Sequence, residues 1–165
     1  MAVRRKVGIA VDFSPCSREA LRWASENLVK EGDHLILISV QPSSNYEQGA
    51  AQLWQATGSP LIPLMEFSDP SITKKYGVKP DAETLSILNT VSHQNGIEVM
   101  AKIYWGDAGL KICEAIADVP LNCLIMGSRG LTGLKRALLG SVSRYVVNHA
   151  VCPVAIVKDS HQSHR

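Results

Sequence analysis

The sequence predicts an α/β fold in which an open, five-stranded parallel sheet carries helices on both faces, and three observations lead there. Short, almost continuously apolar runs recur at Val7–Val11, Leu35–Val40, Val99–Tyr104, Cys123–Gly127 and Val154–Val157. Strands buried on both faces read this way. Segments with helical spacing of apolar residues separate most of these runs, which is the alternation of a parallel sheet. A glycine-rich turn, Gly127-Ser-Arg-Gly130, directly follows the fourth run. It therefore lies at a strand's C-terminal end, the edge at which open α/β sheets hold ligands.

The elements follow in order. Val7–Val11 opens the sheet, and Ser14 is placed to cap a helix whose first turn suits Pro15. Ala20, Leu21, Ala24 and Leu28 then return on one helical face before Gly32. Leu35–Val40 is the second strand. From Pro42 to Pro80 the pattern lapses into Ser, Gly, Gln and Pro. A connection of that length without structure is uncommon, so residues 42–80 should hold short helices, a lid or a contact surface. Leu53-Trp54 and Pro60-Leu-Ile-Pro-Leu64 need cover, either over the sheet or as part of a ligand lid or oligomer contact. Leu85, Leu88 and Val91 mark a helix over Ala82–Gln94, and Leu110, Ile112, Ala115 and Ile116 mark another over Ala108–Ala117. A last helix spans Ser141–Asn148. Pro153 opens the final strand, a position suited to a sheet edge. Residues 159–165 read as a mobile tail.

At 165 residues the chain suits one domain over 1–165, long enough to bury a core unaided. Its net charge of +2 comes from scattered cations, which disfavours nucleic-acid binding as a main role. No apolar stretch approaches a membrane span and no apolar leader is evident, so a soluble, cytoplasmic protein is expected. Cys16, Cys113, Cys123 and Cys152 share no metal-ligand spacing, which argues against a zinc site and a disulfide scaffold. Cys113 and Cys123 read as small core residues. Cys16, near a helix start at the ligand edge, is the candidate for a lowered pKa.

The turn's chemistry points to an anion. Glycines let main-chain N–H groups approach closely, and a helix starting near Ser141 directs its positive end at the same place. Ser141 and Ser143 can each cap that helix or donate to phosphate oxygens; a plain chain reversal is the competing reading. No Gly-Lys-Ser/Thr follows, so this is not a Walker-type loop. Arg129, Lys135 and Arg136 are either the cationic partners or solvated surface residues. Asp12, at the end of the first strand, can accept ribose hydroxyls or a base N–H, can hold a metal-bound water, or can serve the turn itself. His34, His93 and His149 all fall at the wrong edge to activate a serine. Binding is thus better supported than turnover, with no catalytic or metal-ligating residue expected.

Gly8-Ile-Ala-Val-Asp12-x-Ser14, Tyr104-Trp-Gly-Asp107, Met126-Gly-Ser-Arg-Gly130 and His149-Ala-Val-Cys-Pro-Val154 together resemble the universal stress protein family, of the plant single-domain type. Gly127, two residues, Gly130, nine residues, then Gly140-Ser141 is similar to the pattern of its ATP-binding branch. The resemblance implies a Rossmann-like, adenine nucleotide alpha hydrolase-like sheet with ATP or AMP across its C-terminal edge, magnesium accompanying ATP. It implies that Ala10, Val11 and Asp12 line the adenosine end and that Val40 meets adenine through its backbone. Gly127, Arg129, Gly130, Gly140, Ser141, Val142 and Ser143 would surround ribose and phosphates, with Met126 and Ser128 completing the set. Family members are commonly homodimers. Val154-Ala-Ile-Val157 is independently too apolar an edge to leave in water, and pairing with its symmetry mate would cover it; a helix or the tail is the alternative cover. The expected function is a dimeric, nucleotide-dependent switch in stress response. A weak magnesium-dependent ATPase or phosphotransferase and a nucleotide-independent chaperone or scaffold are the alternatives.

Overall fold

The computed structural model describes residues 4–42, 54–129 and 140–158. Gly130, Lys135, Arg136, Leu53 and the 159–165 tail lie outside them. Strand β1 (Lys6–Ala10) leads into helix α1 (Pro15–Asn27), then β2 (His34–Gln41). A short strand β3 (Ile62–Pro63) and two single-turn helices, α2 (Leu64–Phe67) and α3 (Pro70–Thr73), precede α4 (Ala82–Asn95). Strand β4 (Glu98–Trp105), α5 (Ala108–Asp118), β5 (Cys123–Gly127), α6 (Ser141–His149) and β6 (Val154–Val157) complete the chain.

Among the described residues the sheet has six strands, in the order β3-β4-β2-β1-β5-β6. The five strands expected from the apolar runs are all parallel to one another. The sixth, β3, adds antiparallel to β4, with Ile62 opposite Ala101 and Pro63 opposite Met100. Pro63 has no N–H to give, which confines such a strand to an edge. Ser59 fixes the approach: its N–H donates to Ile103 O at 2.8 Å and its Oγ accepts Ile103 N–H at 2.9 Å. The described part of the long connection thus packs over the sheet. Trp54 stacks with Trp105, ring centroids 6.2 Å apart, and Trp105 Nε1 donates to Tyr76 O at 3.2 Å.

Alternating side chains of each strand feed two cores. One face packs Val7, Ile9, Leu35 and Leu37 against Leu21 and Ala24 of α1 and Leu88 of α4. The other packs Ala10, Ile36, Ile38 and Leu124 against Ile112 and Ile116 of α5 and Val146 of α6. This division positions the site. Strands β1 and β5 are neighbours, yet the helix following β1 lies on one face and the helix following β5 on the other. Their C-terminal ends therefore leave a crevice, the switch point at which doubly wound sheets bind ligands.

Candidate functional site

The crevice is a trough lined by the apolar Ala10, Val11, Ile38, Val40, Ala108, Ile112, Met126 and Val142 together with Asp12, Ser17, Gly127, Arg129 and Ser143. The described walls enclose about 100 Å³. Pockets that bury drug-sized ligands start near ~300 Å³, so these walls hold only part of a ligand of that size.

The loop after β1 is bound by its own side chains. Asp12 Oδ1 accepts the Ser14 N–H at 3.0 Å, the turn role weighed for it above, while Ser14 Oγ accepts Ser17 N–H at 3.2 Å and caps α1. Between them Phe13 takes φ = +63°, a left-handed conformation uncommon for a side chain of this size. The turn keeps Phe13 against the core beneath α1 and α4 while Asp12 lines the trough.

On the facing side, β5 ends where α1 begins. A Cβ on Gly127 would stand 2.8 Å from Cys16 Sγ and 3.0 Å from Cys16 O, so this glycine lets helix and strand meet whether or not an anion is present. Ser128 is buried: its N–H donates to Val157 O at 3.0 Å, its carbonyl accepts Gly140 N–H at 2.7 Å, and its Oγ lies 3.9 Å from Cys16 Sγ. Ser143, expected either to cap α6 or to donate to phosphate, does not cap the helix. Its one hydroxyl proton is shared by Gly127 O at 2.9 Å and Ser128 O at 3.1 Å, which staples the first turn of α6 to the end of β5.

The ends of the longer described helices differ in one respect. Ser14, Asp81 and Asp107 cap α1, α4 and α5 with side-chain oxygens, whereas Gly140 at the start of α6 has none to offer. Among the described residues no side chain caps the first amides of α6, and the helix's positive end favours an anionic acceptor. Ser141 is exposed at this end and Val142 lines the trough.

The structure thus gathers Ala10, Val11, Asp12, Val40, Met126, Gly127, Arg129, Val142 and Ser143 at one trough, with Gly140 and Ser141 at the start of α6 and Ser128 buried. Gly130 falls outside the described residues. Ser17, Ile38, Ala108 and Ile112 also line it and escaped the sequence reading. Ile38 shared a strand face with Val40, and Ala108 and Ile112 stand one helical turn apart, so a periodic signal existed for three of them. Among the described residues no histidine lines the trough, and the hydroxyls of Ser17 and Ser143 donate to main-chain carbonyls, leaving them no activated proton to lose. No group of three His, Cys, Asp or Glu among them is placed to hold a metal, and no helix among them is long and apolar enough to cross a membrane. Cys113 and Cys123 are half-buried rather than fully buried, and burial pushes both thiols up, away from the reactive thiolate. Cys16 is the buried one, packed on Gly127.

The universal stress protein family model matches residues 4–158. The universal stress protein PHOS34 of Arabidopsis thaliana is 34% identical over 172 aligned residues, covering 94% of this chain. The chain spans only 62% of that relative's length, and 65% of the similar PHOS32 of the same plant. A universal stress protein A-like protein of Arabidopsis is 38% identical, with 87% of this chain and 78% of that protein aligned. Among solved structures, a universal stress protein family protein from Arabidopsis with AMP bound superimposes with a TM-score of 0.60 at 24% identity, covering 98% of this chain and 95% of that one. A universal stress protein from Archaeoglobus fulgidus in complex with dAMP gives a TM-score of 0.57 at 18% identity, covering 95% and 100%.

Proposed function

The chain belongs to the universal stress protein family, and from that premise we propose that its trough binds an adenine nucleotide, ATP or AMP. The observation that carries the reading is the uncapped start of α6 beside Gly127 and Arg129, at the switch point of the sheet. Every other long described helix supplies its own cap oxygen; this one leaves its amides to an anion. The apolar lining of Ala10, Ile38, Ile112 and Met126 suits the flat face of a base, and the presence of Asp12 and Val40 in the same trough supports their expected roles toward ribose and adenine. Relatives of this fold have been solved with AMP and with dAMP bound, which supports the same ligand class here. With ATP, magnesium would neutralise phosphate charge as part of the incoming ligand.

The state that responds is a homodimer. Among the described residues β6 is an edge strand, its four apolar residues Val154, Ala155, Ile156 and Val157 all half-buried in the single chain, and pairing with a second copy would cover them. Nucleotide occupancy then acts as a switch to the extent that it binds one arrangement of the trough more tightly than another. The test is substitution at the helix start. Ser141→Glu places a carboxylate where the phosphate is to sit, and Gly140→Val crowds the same amides. Both should abolish nucleotide binding with circular dichroism and sedimentation unchanged; undiminished affinity in both variants would sink the site.

A further inference from the structure

Arg18 of α1 makes contacts that no local sequence pattern foretells. Its Nη1 carries two N–H groups; one donates to Phe13 O at 2.9 Å and the other meets Asp81 Oδ2 at 3.3 Å. Its Nε lies 3.3 Å from Glu83 Oε2, and the side chain is only 19% exposed. Asp81 is itself fixed as the cap of α4, accepting Thr84 N–H at 3.1 Å and Thr84 Oγ1–H at 2.6 Å. Glu83 also takes Arg22 Nη2 at 2.8 Å. The guanidinium therefore joins the start of α4 to the carbonyl of the one described non-glycine residue with positive φ, the residue directly after Asp12.

A bulky residue holds a left-handed conformation only where its surroundings over-determine it. Three contacts do so here: Phe13 packs in the core, Asp12 Oδ1 ties to Ser14 N–H, and Arg18 holds the Phe13 carbonyl. The last is anchored outside the loop by charge, on Asp81 and Glu83, two carboxylates at the start of the helix following the long connection. Without it Phe13 would relax toward negative φ and carry Asp12 away from the trough. We propose that Arg18 is a positioning residue of the nucleotide trough, holding Asp12 in place through the Phe13 carbonyl and coupling that loop to the N-terminus of α4. The functional half of this inference rests on the nucleotide reading above; the structural half does not.

Both halves can be read separately. In nucleotide-free protein, hydrogen exchange of the Ser14 amide, followed by NMR, should quicken at least tenfold in Arg18→Ala while the Leu88 and Ile116 amides keep their rates. Arg18→Lys, which keeps the charge but cannot serve a carbonyl and two carboxylates together, should quicken it less, and substitutes should Arg18→Ala not fold. In calorimetry Arg18→Ala should weaken adenine-nucleotide binding about tenfold, and Asp12→Asn/Arg18→Ala should bind no more weakly than Asp12→Asn alone, because both changes remove one contact. Unchanged Ser14 exchange in the variants overturns the positioning role whatever the nucleotide result. Full additivity of the two losses overturns action through Asp12. A wild type that binds no adenine nucleotide overturns the nucleotide reading instead, and the exchange rates then decide the positioning role alone.

Discussion

Gly127→Ala tests whether the first glycine of the turn is a packing glycine as well as a ligand-facing one. The added Cβ would lie 2.8 Å from Cys16 Sγ, 3.0 Å from Cys16 O and 3.1 Å from Cys16 C, where ordinary contact begins at 3.4 Å. Two of those three atoms are backbone in the first turn of α1, so a rotamer change cannot relieve them. The helix must shift, and with it Ser14 and the Asp12 loop. Overpacking of this kind costs about 1–3 kcal/mol. With a urea dependence of about 2 kcal/mol per molar, the unfolding midpoint should fall by about 1 M with unchanged slope. Cys16→Ala removes the Sγ contact but neither backbone contact, so Cys16→Ala/Gly127→Ala should recover only part of the loss, a coupling that a double-mutant cycle isolates. A Gly127→Ala midpoint within about 0.2 M of wild type would refute the packing role and return this glycine to chain reversal or ligand access alone.

Gly58→Ala carries two penalties at once, a φ of +78° and a Cβ 2.7 Å from the Tyr104 ring, and should lower the melting temperature by about 4–8 °C, read by calorimetry. Asp107→Ala removes the cap that accepts Leu110 N–H at 3.0 Å and should cost about 1 kcal/mol in urea unfolding. The Asp81 carboxyl is pushed up by burial, but hydrogen bonds from Thr84 and the nearby charge of Arg18 outweigh this and hold it below the ordinary 3.8. Its stabilising contribution is therefore present above 3.8 and lost as pH falls through the lower folded value. Urea titrations of wild type and Asp81→Asn should accordingly converge in stability only at acid pH, and a gap that stays constant with pH would contradict the assignment.

How far the sequence carried depended on whether a feature was local. Four helices and five strands were legible because periodicity and continuous apolar runs are written within single segments, as with Leu85, Leu88 and Val91. Ile62–Pro63 was not legible: two residues, one of them proline, form a strand beside Ala101 and Met100 only because Ser59 just before them is tied to Ile103, more than forty positions away. At the site, Asp12 and the Gly127 turn stood out because they follow strands directly. The bonds of the Ser143 hydroxyl were not legible, since the carbonyls it meets, Gly127 O and Ser128 O, lie at the preceding strand end, across the intervening loop. Nothing near Arg18 in the sequence foretells Asp81 as its partner. The close approach of Cys16 to Gly127 likewise exists only once α1 is laid against β5.

That the uncapped start of α6 and the trough beside it hold an adenine nucleotide is a proposal. Its most direct test is to denature freshly purified protein, identify any released nucleotide by mass spectrometry, and titrate the emptied, refolded protein with AMP and ATP by calorimetry. The expected result is near-stoichiometric adenine nucleotide on release, or saturable one-site binding that guanine nucleotides do not match. Folded protein that releases no nucleotide and gives no heat with either ligand would contradict the claim and leave the glycines of the turn with an architectural role only.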